Sequence, residues 1–588
     1  MPFESTRRLF WSELGPRDAV YMLLTVDFAG QTFRWSTQPV TMLNESGEVL
    51  VFGGGLNALE YGTVLQTLAA APDEASVSLD LLWPSDVAGL IAEGHDLSAA
   101  TGELSCWVFG GSFPDRQVLV SGRVRQPIYG AFGEPVSFTI EEAPFQDVGE
   151  WPSSTHRVCE GTWTAFQDSE SGNIYPQVLG RPGIFSRPDG STVNGDGTRA
   201  LVVEADPTDT TLASTLLIAG HKVKSPTVRI KYMGATGYSP EEGYLFNLGD
   251  WGGFDAPVEQ RQDALGNWVS VVSLMQPGAA PGGLALFVDD IRRAQTFRVL
   301  WSGAAFGTNG GLVWDDETTA IRGAGDVLQY ALQRSTLRVD WGRFNASRAR
   351  MNAWLIDGFL DDTVQPWDWI ADNLLPLMPV SMHSGPDGVF PVFWDWAATE
   401  SDAVDRIEWG PGVVRVTGVE YERQPSEIRN RITLKYAFDL TEDSHQRSVI
   451  HTPRPDLTDK EQVTSVFAKR SELRHGVTAE SSYSTDVITD TATAHQSVNW
   501  RVIAEGFSHR SVTYEVPQEY SYLELGDVVL LTDSDIHLTD IVSLVQGTTL
   551  TDTGRIELTL QLVENVARTK KTTGPNPDDG APDPGDYQ

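Results

Sequence analysis

The sequence predicts a chain that is mainly β (α+β overall), with a strand-rich barrel-like region at each end and a different middle. Three observations predict it. Short apolar runs with a period of two recur roughly every ten residues, separated by Gly, Pro, Asn and Asp. Well-formed helical spacing is confined to one stretch near residues 324–378. The chain has 588 residues, and at roughly 150 residues per unit that makes about four packed domains rather than one core.

The first region, 1–148, reads as a β-barrel domain. "VYMLLTVDFAG" and "QTFRWST" are β-branched and aromatic runs closed by turn residues. "EASVSLDLLW" places Val77, Leu79 and Leu81 on one face, and "ELSCWVFGG", "QVLVSGRV" and "PVSFTIEEA" follow the same alternation. "DVAGLIAEGH" is a short helix candidate. Residues 149–318 form a β-rich unit decorated with Gly/Pro loops, with "TRALVVEAD", "TLLIAGHKV" and "GLALFVDD" among its strands.

Residues 319–400 read as a small mixed α/β domain. "AGDVLQYALQRS" carries Val327, Leu328, Ala331 and Leu332 at helical spacing. A further helix lies in "SRARMNAWLIDGFL". In "PWDWIADNLLPLM", Pro366 fits the first helical position, where its missing N–H costs nothing, and Trp369, Ile370 and Leu374 form the buried face. "GPDGVFPVFWDW" reads as a hairpin. Residues 401–568 return to strands: "GVVRVTGVEYE", "RNRITLKYAFDL", "QSVNWRVIAEG", "HRSVTYEVP", "YLELGDVVLLTD", "TDIVSLVQG" and "GRIELTLQLVENV". Residues 441–480, polar and irregular, read as an insertion or loop. The tail 569–588, "TKKTTGPNPDDGAPDPGDYQ", has almost no apolar side chains with which to offset its ordering entropy.

Composition bounds function. Forty-three Lys and Arg against eighty Asp and Glu give a net charge of -37. Proteins that grip nucleic acid by its phosphates need the opposite balance. Mean hydropathy is -0.22, no run of about 18 apolar residues could span a membrane, and the start "MPFESTRRLFWSEL" lacks the apolar core of a secretory signal. Two cysteines, Cys106 and Cys159, cannot build a disulfide framework or a four-thiolate metal site.

Candidate chemistry is thin. Gly53-Gly54-Gly55 lacks the Lys-Ser/Thr that a phosphate loop places at its helix start. Asp168, Glu170, Gly172 and Asn173, like Asn194, Asp196 and Gly197, resemble short calcium loops but lack the alternating oxygens and the closing bidentate Glu. The ten histidines show no HExxH and no paired metal spacing. Asp315-Asp316 and Asp361-Asp362 are adjacent acids of the kind found in solvated loops, since a glycosidase dyad is a spatial separation and not a motif. Trp367, Trp369, Trp394 and Trp396 could stack on sugar rings, but their places beside helix and hairpin faces read as packing. No catalytic residue, cofactor site or metal site is expected.

The closing stretch "VTYEVPQEYSYLELGDVVLLTD … HLTDIVSLVQG … GRIELTLQLVEN" resembles the last barrel of phage baseplate hub and tail-tip hub proteins, including those of gene transfer agents. Leu525, Gly526, Asp527 and Val528 carry the match, a tight turn between apolar strands. The stretch from "AGDVLQYAL" to "GPDGVFPVFW" resembles that family's middle unit, and "VSGRVRQPIYGAFGEPVSFTIEEA" resembles its first barrel. The resemblance implies two tail-tube-like barrels per chain and a homotrimeric ring that adapts a six-fold tube to a three-fold tip. It further implies tube proteins above and tip or fibre proteins below, a virion-tail location, and DNA passing through the lumen without specific binding. The alternative expectation is a receptor- or glycan-binding tip protein, using the loops of 149–318. Within the tail, Tyr587 is the large aromatic expected to anchor it on a partner.

Overall fold

The computed structural model describes residues 20–142 with breaks at 45, 65–75, 82–84, 112 and 130–135, then 149–151 and 177–179. It describes short strand backbones between 184 and 300, and residues 322–563 with brief breaks. The fold is mixed α/β and dominated by β-strands.

The first region forms β1 (Val20–Phe28), β2 (Gln31–Ser36), β3 (Val40–Leu43), β4 (Val49–Gly54), β5 (Leu56–Val64), β6 (Ser76–Leu81), helix α1 (Ser85–Ala92), β7 (Thr101–Val108), β8 (Gln117–Tyr129) and β9 (Val136–Glu142). β1 pairs antiparallel with β2 and β7, and β8 with β7 and β9. β1 is buried on both faces. Leu24 and Val26 enter the main core with Leu104, Val120, Val124 and Ile140, while Leu23 enters a second cluster with Trp107 and the β3–β4 hairpin. That is why "YMLLTV" is almost continuously apolar instead of alternating.

Between 184 and 300 the described strands include a five-stranded sheet, ordered Ala200–Glu204, Thr215–Ala219, Tyr244–Asn247, Gly283–Val288 and Ser273–Ala280. The described segments ahead of this region, 149–151 and 177–179, are stitched to the next unit. Trp151 exchanges backbone hydrogen bonds with Val364 at 2.9 and 2.8 Å, and the fully buried Trp151 ring meets Trp369 edge-on at 5.0 Å.

The middle unit matches its sequence pattern in part: the helix expected in 347–360 instead runs Trp341–Met351, and Phe359–Leu360 form a short strand. Helices α2 (Ala324–Leu332), α3 (Trp341–Met351) and α4 (Pro366–Asn373) precede a hairpin of β10 (Val380–Gly385) and β11 (Gly388–Phe393). Asp340 caps α3 by accepting from Gly342 and Arg343. Pro366 opens α4, and Trp369, Ile370 and Leu374 are buried as expected.

The last region departs from its expected reading. It contributes β12 (Asp405–Glu408), β13 (Val414–Arg415), β14 (Glu420–Tyr421), β15 (Arg431–Asp439), β16 (Ser444–Thr452), β17 (Gln462–Thr464), α5 (Val466–His475), β18 (Glu480–Ser484), α6 (Thr491–Gly506), β19 (Arg510–Val516), β20 (Val528–Asp533), β21 (Leu538–Leu550) and β22 (Ile556–Leu562). "QSVNWRVIAEG" is the body of helix α6, not a strand. Asp490 caps it by accepting from Thr493 N at 2.7 Å, and Ala494, Val498 and Val502 recur every four residues on its buried face. Residues 441–480, expected as an insertion or loop, hold β16, β17 and α5. "RNRITLKYAFDL" does become a strand, β15, but in a separate four-stranded sheet ordered β17–β16–β15–β18, against which α6 packs. "GVVRVTGVEYE" yields only the two-residue strands β13 and β14.

The remaining strands of both ends share one sheet. Its path runs β13–β19–β22–β21–β5–β6–β9–β8–β7–β1–β2–β4–β3, with β14 on β19 and β12–β20 on β21. Val512, Tyr514, Leu531, Leu558 and Leu560 from the last region belong to the same hydrophobic cluster as Leu24, Val124 and Ile140 from the first. Among the described residues the two strand-rich ends are therefore halves of one sheet, and a second separate barrel is not seen.

Candidate assembly interface

The junction between the two halves depends on β21. Its first part pairs with β20 through Leu538–Leu544, and its last four residues pair with β5, from Gly547 opposite Val64 to Leu550 opposite Tyr61. Against β22 the register shifts between Val545 and Gly547. A bulge bends a strand and raises its twist, so one edge of β21 serves two neighbours in succession.

The main path of the sheet ends at β3 and β13, and both ends carry exposed apolar side chains, whereas the side branch through β20 ends at β12, where Arg406 and Glu408 are exposed. On the β3–β4 hairpin, Val40, Met42, Leu50 and Phe52 point inward, and Thr41, Leu43, Val49 and Val51 point outward. Leu43 and Val51 are 60% and 62% exposed. The hairpin turn is held by Asn44, whose Oδ1 accepts from Ser46 N and Glu48 N, and Gly47 takes the left-handed φ of +80° that closes it. At the opposite limit, β13 and β14 are short pieces on the outer edge of β19, and Val414, Val416 and Tyr421 are exposed. Short edge strands are one way a sheet limits uncontrolled pairing, and exposed apolar side chains at an edge mark a surface that gains by being covered.

The Leu525–Val528 turn lies where the last half-sheet meets the middle unit. Gly526 N donates to Val545 O at 2.8 Å, Val545 N donates to Asp527 O at 2.9 Å, and Glu524 N donates to an Asp527 carboxylate oxygen at 2.9 Å. Gly526 has φ +83°, and a Cβ there would lie 2.7 Å from Cγ1 of Val392 in β11. Next to it, Arg343 of α3 donates to Glu524 at 2.6 Å and stacks 4.5 Å above the Phe390 ring. The hairpin that the turn presses on was outside the reach of the sequence pattern.

Two buried carboxylates brace these units. Asp533 is fully buried, and accepts from Arg415 at 2.7 Å, from the Tyr514 hydroxyl at 2.7 Å and from Asp535 N at 3.0 Å. Burial first, then the Asp533 carboxylate, push the Tyr514 phenol well above its ordinary value. Asp357 is also fully buried, and takes both arms of Arg322 at 2.8 and 3.0 Å with a further bond from Thr489. Each carboxylate joins segments far apart in the chain.

The other candidates resolve into structure or lie outside the described residues. Gly53 and Gly54 end β4 in parallel pairing with β2, and strand β5, not a helix, follows Gly55. Cys106 is buried. Trp394 is buried with Nε1 donating to Ser381 at 3.0 Å, Trp369 and Trp396 are buried, and Trp367 packs against the core. His451 and His495 lie 2.9 Å apart, and His445 lies 2.9 Å from Asp486. Among the described residues no group of three or more His, Cys, Asp or Glu could hold a metal ion. No described helix is long and apolar enough to cross a membrane. Cys159, both calcium-like loops except Asn194, the acid pairs 315–316 and 361–362, and Tyr587 lie outside the described residues.

No protein-family model matches the sequence, and no curated protein matches it. Among solved structures, the chain is similar to a tail protein from Neisseria meningitidis MC58, at 10% identity over 92% of this chain and 96% of that one, with a TM-score of 0.33. A 43 kDa tail protein of prophage MuSo2 from Shewanella oneidensis is similar at 8% identity over 92% and 97%, TM-score 0.32. A chain of a native gene transfer agent particle is similar at 13% identity over 69% and 88%, TM-score 0.34. At these values the likenesses assign nothing to this chain, and the functional reading rests on its own residues.

Proposed function

We propose that the chain is a non-catalytic structural subunit of a phage-type tail, a baseplate or tail-tip hub protein located in the virion tail. The carrying observation is the single sheet that unites the two ends of the chain, with exposed apolar side chains at both ends of its main path. Two halves per chain, joined at β21–β5, supply two tube-like units. Three chains set head to tail then supply six such units, adapting a six-fold tube above to a three-fold tip below. Heterologous contacts of this kind close into rings and cover the exposed edges. In this reading the domains are 1–148 and 401–568 as the tube-like units, with 431–506 an α+β insertion in the second, and 149–318 and 319–400 between them. The Leu525–Val528 turn fixes the second unit against the middle one. The ring lumen passes DNA without specific binding, and the net charge of -37 favours a wall that does not hold phosphates.

Electron microscopy and mass measurement of the purified chain and of particles test this together. The expected result is a ring of three chains with the two halves of each sheet superposable and alternating around the lumen. A six-chain ring, or a monomer within particles, refutes it. So does a lumen lined by Lys and Arg.

A further inference from the structure

The β3–β4 hairpin folds back over the face of β1, β2, β7 and β8 that lies away from the main core, and the contact changes character along its length. At one end it is apolar: Val40, Met42, Leu50 and Phe52 pack with Leu23 and Trp107. Toward the hairpin turn a cleft of about 310 Å³ opens between the two layers. Its floor is a cross-strand row of Arg34, Thr25, Glu103 and Ser121, on β2, β1, β7 and β8 in turn. Asp27 and Thr101 follow in the next row. The alternate residues of the same strands, Phe33, Leu24, Leu104 and Val120, enter the core, so the period of two is what collects these polar side chains on one face. Asn44 and Glu48 of the hairpin turn, with Phe113 and Arg116 of the β7–β8 connection, complete the lining.

The charged groups of the cleft are held in place, with one exception. Thr32 donates to Asp27 at 2.6 Å, and Asn44 Nδ2 donates to Glu48 at 3.1 Å. Arg116 donates to Glu103 from Nη2 at 3.0 Å and from Nε at 3.3 Å, and lies 4.0 Å above the Phe113 ring. Arg34 is half-buried, and among the described residues its guanidinium has no hydrogen bond and no ion pair. A guanidinium presents its donors as a planar fork that matches one carboxylate. Asp27, Glu48 and Glu103 against Arg34 and Arg116 leave the lining one negative charge, which opposes a phosphate or any other multiply charged anion. The hydroxyls of Thr25, Thr101 and Ser121, the carboxylates and the Asn44 amide suit neutral hydroxyl groups, to which they donate or from which they accept. The volume stands at the lower end of the about 300–1,000 Å³ of small-ligand sites, room for about one or two sugar rings.

We propose that this cleft binds an acidic sugar, a uronic acid or a short saccharide ending in one. Arg34 takes the sugar carboxylate through two parallel hydrogen bonds, and Asp27, Glu48 and Glu103 accept from the ring hydroxyls. Strands and a hydrogen-bonded turn carry these groups, so little ordering is left for the ligand to drive. A zwitterionic amino acid would also bring a carboxylate, but its ammonium would meet Asp27 and Glu48, both exposed, where an ion pair adds little. The site lies within one chain, on the first half-sheet and not in the loops of 149–318, and it does not depend on the ring.

Saturation-transfer NMR and calorimetry on the full-length chain test this, with sodium glucuronate, glucose, glutamate and acetate as probes. Glucuronate should bind with a Kd on the order of millimolar. Glucose should bind at least about tenfold more weakly, the difference expected of one charge-assisted pair of hydrogen bonds. Arg34→Gln should bring glucuronate to the level of glucose, and Ser121→Trp, which fills the cleft, should abolish binding of both, with melting temperatures unchanged. Should Ser121→Trp fail to fold, Arg34→Gln alone decides. No binding of glucuronate at about 50 mM overturns the proposal, as does binding that Arg34→Gln leaves unchanged. Acetate or glutamate binding as tightly as glucuronate makes the cleft a carboxylate or amino-acid site and overturns the sugar.

Discussion

Replacing Gly526 with Ala tests whether the turn is clamped between the last half-sheet and the middle unit. Two costs arise. The left-handed φ of +83° penalises any side chain by about 1 kcal/mol. The new Cβ would also lie 2.7 Å from Cγ1 of Val392, and overpacking a well-filled contact costs about 1–3 kcal/mol. The sum is about 2–4 kcal/mol. Gly476, which caps α5 at φ +69° and where an added Cβ would meet nothing within 4 Å, provides the control, because only the first cost applies there. Thermal and urea unfolding of the full chain, followed by hydrogen exchange at Gly526, Val545 and the β10–β11 hairpin, should show Gly526→Ala the more damaging by at least about 1 kcal/mol. Adding Val392→Ala should recover part of that difference as a positive coupling in the double-mutant cycle. Equal effects of the two glycine substitutions, or strict additivity with Val392→Ala, would refute the clamp.

Asp533→Ala leaves Arg415 and the Tyr514 hydroxyl without their buried acceptor and should cost about 3–5 kcal/mol. Asp535→Ala, at an exposed carboxylate 3.4 Å from the same arginine, should cost less than about 1 kcal/mol, and urea midpoints compare the two. Burial holds His383 and His509 neutral with pKa values of about 3, below the 6.5 of an unfolded histidine. The unfolded chain therefore binds more protons between these values, so stability is fully present above pH 6.5 and declines as pH falls toward 3. The slope is about 1.4 kcal/mol per pH unit for each histidine. His383→Phe should flatten the decline in melting temperature between about pH 6.5 and 5, and an unchanged slope would remove His383 from the account. If the ring reading holds, placing Lys at Leu43 and Val51 should leave the fold intact and shift mass-measured rings toward monomers.

Periodicity settled what each residue could pack against locally. Val327, Leu328 and Ala331 at helical spacing, Pro366 at a helix start, and the alternating strands of the first region all describe one face of one element, and a window of about ten residues contains that information. Helix α6 was also readable, from Asp490 as cap and Ala494, Val498 and Val502 at intervals of four. The β-branched "VNWRVI" within it favours a strand, and the burial of its face against β15 and β16 outweighs that preference. Only the tertiary structure decided the partners. The pairing of Gly547 with Val64 spans almost the whole chain, and nothing in either strand names the other. The same holds for Val392 under Gly526 and for Arg415 on Asp533. Such contacts depend on loop closure and on which surfaces remain uncovered after the local elements form, quantities that belong to the whole chain and to no segment of it.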